Sequence, residues 1–317
     1  MNRWVGCFAI FLTASRLLFA ANFTEWSDSG VYGPKYPELL RTLQNTQTNF
    51  SDIAQVIEYG VTPQKRALRL LYVKRPGNFL HRPTLLMTGS IHGNEYLNLE
   101  DRLPQELLKQ SYSAGPVKKF LDDGGVFIFV PIVNPDGYES RSRDNAHGID
   151  LNRDWDLTTA HFKGFKEAES KALSIEIERL RATDHLDFKI TVDYHCCAGA
   201  LLHPWAYKGE SIPPSDLIRH KAIGAMAKRR LNIDVGATGQ ILGYYPVGTT
   251  KDYYYTRYGA LAFTYEGRSH EENQYLSGHL SWWEDMVRSV NNEGTHPFIR
   301  FAMDAVNQAR SLFQFAE

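Results

Sequence analysis

Cysteine is scarce in this chain, with three among 317 residues. Cys7 lies in an apolar N-terminal segment. Cys196 and Cys197 are neighbours, a spacing ill suited to an ordinary structural disulfide. Stability must therefore come from a core, which a hydrophobic content of 43% can fill. Charge of one sign is also lacking: 35 Lys and Arg stand against 36 Asp and Glu, a formal net charge of −1. With no long Lys/Arg block or basic stripe, neither nucleic acid nor an anionic membrane is expected as the main partner. Beyond residue 21 no run reaches the ~20 apolar residues needed to span a bilayer. Internal repeats and low-complexity linkers are missing too, and length alone does not decide between one large domain and two.

The first 21 residues, MNRWVGCFAIFLTASRLLFAA, start with one Arg, continue into a mostly apolar stretch interrupted by Arg16, and end in small residues. They resemble a secretory signal peptide, so the protein is expected to be secreted or periplasmic. Residues 22–317 are expected to form a single domain.

From residue 67 onward, short β-rich apolar runs alternate with longer segments of helical period. Strands are expected over 67–75, 84–92, 124–134, 188–196 and 260–267. Helices are expected from Glu95 to about Lys109, with Pro104 breaking or delaying the first, then over 165–182, 215–231, 277–292 and 298–314. Alternation on this scale predicts an α/β sandwich around a mostly buried sheet. Polar residues stand at the far ends of four strands: His92, the Asn134-Pro135-Asp136-Gly137 turn, His195 and Glu266. Ligands bind at the carboxyl ends of strands in open α/β sheets, so these groups are expected to converge on one edge.

His92-x-x-Glu95 alone is a weak pattern in a chain with 11 histidines. Its position at a strand-to-helix junction, with a second strand-end histidine at His195, makes it informative. Two imidazoles and a carboxylate hold one Zn²⁺ and leave a fourth position open, the catalytic arrangement. Glu266 ends an apolar strand, where a carboxylate is costly without a partner or a role. Beside a zinc site it can act as general base and then as proton donor to a leaving amine. Asn152 and Arg153, after the apolar-spaced GIDL, suit recognition of a substrate carboxylate. A second Arg is suited to stabilising an oxyanion.

Together, His92-x-x-Glu95, NPDG at 134–137, Arg143, GIDLNR at 148–153, DYHCCAGALLHPW at 193–205, YYPVGTTKD at 244–252 and TYEG at 264–267 resemble the zinc carboxypeptidase family, peptidase family M14. The resemblance runs from about residue 50 to about residue 295. It implies a three-layer α/β/α sandwich around a mixed, mostly parallel twisted sheet, and no large propeptide. It also implies one Zn²⁺ on His92, Glu95 and His195, with Glu266 as general base and Arg143 polarising the scissile carbonyl. Asn152 and Arg153 then match the pair that holds the substrate's terminal carboxylate. Tyr244, rather than its neighbour Tyr245, matches the tyrosine that closes over the substrate. Asp150 matches the carboxylate that orients a zinc-bound histidine. Asn94 departs from the pattern, standing where pancreatic members carry an arginine.

Lys251 occupies the position resembling the floor of the pocket for the substrate's terminal side chain. A basic residue there implies a terminal Glu or Asp, or diaminopimelate. The expected partner is thus a peptide with a free C-terminal carboxylate, acted on by a monomer. Two other readings compete. One is a zinc deacylase of the aspartoacylase and desuccinylase type, which shares the His-x-x-Glu, Asn-Arg and distant His. The other is a non-catalytic module that binds peptide or cell-wall fragments, which would be expected to lack a zinc ligand or the general base.

Overall fold

The computed structural model describes residues 32–291. The leader-like residues 1–21, the helix expected over 298–314 and Cys7 lie outside the described residues.

Among the described residues, eight strands form one sheet: β1 (Ala54–Val61), β2 (Ala67–Lys74), β3 (Arg82–Gly89), β4 (Val126–Val130), β5 (Leu186–Cys196), β6 (Ala200–His203), β7 (Asp234–Ala237) and β8 (Leu261–Gly267). Their order is β1-β2-β4-β3-β5-β8-β6-β7. Four neighbouring pairs are parallel (β3 with β4, β3 with β5, β5 with β8, β6 with β7) and three are antiparallel (β1 with β2, β2 with β4, β6 with β8). The central strands read as continuous apolar runs because both faces of the sheet are covered. In β4 all of Val126–Val130 is buried.

Period-2 alternation divides these strands between two cores. Leu85, Met87, Phe127 and Phe129 point to one face, whose core also takes in residues of α1 (Tyr36–Asn49), α2 (Arg102–Lys109), α3 (Pro116–Asp122), α6 (Pro214–Leu231) and α9 (Leu276–Asn291), including Leu43, Leu107, Phe120, Met226 and Trp283. Leu86, Val126, Ile128 and Val130 point to the other, against Leu173 and Ile177 of α5 (Ala168–Asp184) and Tyr254 of α8 (Thr250–Tyr258). Each such side chain contributes roughly 1.5–3 kcal/mol by leaving water. These two cores make the expected three-layer sandwich. Among the described residues, no helix is long and apolar enough to cross a membrane.

One expected element starts late. The helix foreseen from Glu95 begins at Arg102. Pro104 sits in its first turn, where no backbone N–H is required of it. Residues 90–101 form a loop organised by the buried Glu100 carboxylate, which accepts from the backbone N–H of Leu97 (3.0 Å) and of Leu99 (3.1 Å). Burial pushes that carboxyl up to about 8. Glu95 therefore rides on a loop that turns back over the strand ends instead of on a helix running away from them.

Candidate active site

β3, β4, β5 and β8 are mutually parallel neighbours, so their carboxyl ends share one edge of the sheet. His92 lies three residues past the end of β3, and His195 and Glu266 are the penultimate residues of β5 and β8. The parallel register sets His195 directly opposite Glu266.

Glycine lets the His92 loop close over this edge. A Cβ at Gly93 would lie 2.0 Å from the carbonyl carbon of Gly137, so the two backbones touch. Asn134 fixes the crossing. Its Oδ1 accepts from the Gly137 amide (2.9 Å) at the start of α4 (Pro135–Ser140), and its Nδ2 donates to the carbonyls of Ile91 (3.3 Å) and Arg143 (3.5 Å). The NPDG turn thus ties the His92 loop to the Arg143 loop.

His92, Glu95 and His195, all buried, bring their ligand atoms together. The two Nδ1 atoms are 3.1 Å apart, and Glu95 Oε2 lies 2.8 Å from one and 2.9 Å from the other. The opposite ring nitrogens face carboxylates: His92 Nε2 donates to Asp150 Oδ1 (2.9 Å) and His195 Nε2 to Asp193 Oδ2 (2.8 Å). Those acceptors fix the hydrogens outward and leave both Nδ1 lone pairs aimed at the same point. Two lone pairs and a carboxylate oxygen at this spacing repel one another unless a positive charge sits among them. Burial works against charge on His195, yet Asp193 and Glu95 hold its ionisation well above the ordinary imidazole range. Burial works against charge on Glu95 too, yet with a proton on the imidazoles in the cation's place its carboxyl is held well below the usual carboxylate range. The donor set demands a cation, and two imidazoles with one carboxylate fit Zn²⁺.

Around the centre, Arg143 Nη1 donates to Glu95 Oε1 (3.0 Å), while Nε and Nη2 reach Asp150 Oδ2 (3.2 and 3.0 Å). Asp150 also accepts from the Asn152 amide (2.8 Å). Asn152 Oδ1 accepts from the Thr250 amide (3.0 Å); its Nδ2 lies 3.5 Å from His195 Nε2, whose hydrogen is already given to Asp193. Arg153 Nη1 donates to the Asn152 carbonyl (2.7 Å), and its side chain stays one-third exposed. Glu266 is half-buried; burial and the Glu95 charge raise its carboxyl, against His195, His92 and Lys251.

Tyr244 and Tyr245 are both exposed but differ in surroundings. The Tyr245 ring packs over Gly239 and Gly209, whereas Tyr244 lies on the Arg143 side. Lys251, in the first turn of α8, is fully buried, and its ammonium donates to Thr238 Oγ1 in the first turn of α7 (Thr238–Leu242). It forms an ion pair with no carboxylate among the described residues. The neighbouring Asp252 carboxylate is engaged by the amides of Ala206 (2.9 Å) and Tyr207 (3.2 Å). Burial lowers the Lys251 ammonium to about 8.

Asp193 is the principal site residue that the sequence reading passed over. It holds His195 and accepts from Thr88 Oγ1 (2.6 Å) and Thr250 Oγ1 (2.5 Å), joining β3, β5 and α8 behind the centre. Its signal was the i, i+2 spacing to His195, which puts both side chains on one face of a strand.

A family model described as zinc carboxypeptidase matches residues 39–279, more than half of the chain. Among curated relatives, the metallocarboxypeptidase A of Trichophyton tonsurans is 22% identical over 251 residues, covering 69% of this chain and 59% of that protein. An inactive metallocarboxypeptidase of Saccharomyces cerevisiae is 25% identical over 196 residues, covering 53% and 45%. The chain spans about three fifths, 59%, of the first of these relatives and less than half, 45%, of the second. The solved carboxypeptidase A from Helicoverpa armigera shares the fold at a TM-score of 0.61, with 20% identity over 81% of this chain and 73% of that one.

Proposed function

The chain belongs to the zinc carboxypeptidase family, and from that premise we propose that it hydrolyses the last peptide bond of peptides with a free C-terminal carboxylate, preferring a terminal residue that carries a second carboxylate. The convergence of His92, Glu95 and His195 beside Glu266 supports the activity. A cation-binding triad without a base would serve only for binding, and a carboxylate suited to that part, Glu266, stands on the adjacent strand.

When bound, Zn²⁺ supplies Lewis acidity, which acidifies water and polarises a carbonyl. Glu266, with its raised carboxyl, takes a proton from the attacking water as the new C–O bond forms, and gives it to the amine nitrogen as the C–N bond breaks. Arg143 presents its guanidinium to the carbonyl oxygen as charge develops there. Asp150 and Glu95 keep that guanidinium in place. Asn152, Arg153 and Tyr244 hold the free carboxylate and set which bond is the last.

Lys251 supports the preference. A buried ammonium satisfied by one hydroxyl alone is costly, and a substrate side-chain carboxylate would offset that cost. Glutamate, aspartate and diaminopimelate share this chemistry. The leader-like residues 1–21 support work outside the cytoplasm, where peptide tails and cell-wall stem peptides both occur.

Zinc-loaded protein given matched peptides ending in Glu, Leu or Lys, together with a murein tripeptide, tests the reading by mass spectrometry of what is released. Release of Glu or diaminopimelate, with Leu and Lys spared, is expected. Release of Leu or Lys would leave the activity and remove the preference. No release from any of them would overturn both.

A further inference from the structure

A second cluster of metal-ligating side chains lies one residue beyond the zinc-type centre. The sulfurs of Cys196 and Cys197 and a ring nitrogen of His270 all fall within 4.8 Å of one another. The two cysteines are bonded to each other. A bridge between neighbours links no separate elements, so it adds little to the fold and leaves its sulfurs free for other chemistry. Cys197 is exposed and Cys196 half-buried, which gives a dithiol or a metal ion access. His270 is buried and held. Its Nδ1 donates to the Tyr96 carbonyl (2.6 Å), which holds the ring in place beside the two sulfurs. Its own carbonyl accepts from Asn98 Nδ2 (2.9 Å).

We propose that, when reduced, Cys196, Cys197 and His270 form a second cation site, taking a soft or borderline d¹⁰ ion such as Cd²⁺ or Zn²⁺, and that the disulfide form does not bind it. Thiolate and imidazole donors select such ions, and two sulfurs with one nitrogen leave a position for solvent. The chemistry balances with a dithiol as reductant. The dithiol gives two electrons and two protons to the Cys196–Cys197 bond and closes to its own disulfide. The incoming cation then displaces both thiol protons to solvent. Cys196 also donates its backbone N–H to Glu95 Oε2 (3.3 Å), so this site abuts the first centre while sharing no side chain with it. The inference does not depend on which peptide, if any, the protein cleaves.

The full chain, zinc-loaded, is either treated with a dithiol that is then removed without air, or left oxidised, and Cd²⁺ is titrated into both. The reduced protein is expected to take up one additional metal per chain with an ultraviolet thiolate-to-cadmium band, and the oxidised protein to show neither. Cadmium exchanging into the His92 centre gives no such band, since no sulfur ligates there. Cys197→Ser is expected to lose the band while keeping its zinc. Cys7→Ser should keep the band, and His270→Gln should retain it but weaken Cd²⁺ binding by about tenfold or more. An unchanged metal content on reduction, a band that persists in Cys197→Ser, or a band lost in Cys7→Ser would overturn the proposal.

Discussion

His195 and Glu266 face each other across the parallel register of β5 and β8. A metal ligand and a carboxylate with a raised ionisation are thereby set side by side by backbone hydrogen bonding, without any loop having to close. Burial and the Glu95 charge raise Glu266. In the proposed mechanism the working form is the carboxylate, so activity should be lost as pH falls through this raised value. The acid limb of kcat/KM should therefore lie above the ordinary glutamate value of about 4.3. A limb at or below that value would remove Glu266 as the base.

Asp193 holds His195 through Nε2, at 2.8 Å. Asp193→Asn keeps the shape and removes the charge that makes His195 a strong donor. Metal affinity should fall by about 10–100-fold, measured by competition with a chelator. An affinity equal to that of the unaltered protein would mean that Asp193 only fills space.

Lys251 carries its charge at some cost. Its ammonium is lowered to about 8, below the unfolded value of about 10.4, so the unfolded chain binds more protons between these limits and stability rises with pH across them. Lys251→Met should thus be more stable at pH 7, on the order of 2–3 kcal/mol by denaturant titration, while losing discrimination between Glu and Leu termini. In the unaltered protein the Glu-over-Leu ratio of kcat/KM should decline above pH about 8 as the ammonium loses its proton. A ratio flat from pH 6 to about 10 would take Lys251 out of the pocket.

Gly93 has no room for a side chain, because its Cβ would meet the Gly137 carbonyl carbon at 2.0 Å. Gly93→Ala should cost about 1–3 kcal/mol and reduce metal content, since His92 and Glu95 flank the contact. Unchanged stability and full metal occupancy would show that the loop can move aside.

Much of the fold was legible because the central strands are buried on both faces and read as uninterrupted apolar runs. Their order of appearance, with His92, His195 and Glu266 at the far ends, sufficed to foresee a shared edge. β1, β6 and β7 were not foreseen. The last two are four residues long, and β1 is half-buried or exposed at every residue but its first, so period and propensity give little signal there. The helix start at Arg102 was hidden for another reason. Glu100 organises the preceding loop through backbone amides brought to it by the turn itself, an interaction without sequence period. Asp193 was legible in principle from its two-residue spacing to His195. Asn134 stood out in sequence, but its work, bridging the Ile91 and Arg143 carbonyls, depends on where two distant loops meet.

In the proposed mechanism Asn152, Arg153 and Tyr244 recognise the substrate's free carboxylate, which would make the reaction an exopeptidase reaction. A peptide with an amidated C-terminus should be cleaved far more slowly than its acid counterpart. Equal rates on the two would contradict that assignment.

The most direct measurement pairs turnover with metal content in Glu266→Gln. The variant keeps His92, Glu95 and His195, so zinc by mass spectrometry should remain at one per chain, while kcat on a peptide ending in Glu falls by about 10²–10⁴-fold. Substantial residual turnover with zinc retained would contradict Glu266 as the proton carrier, and with it the mechanism proposed for this cleft.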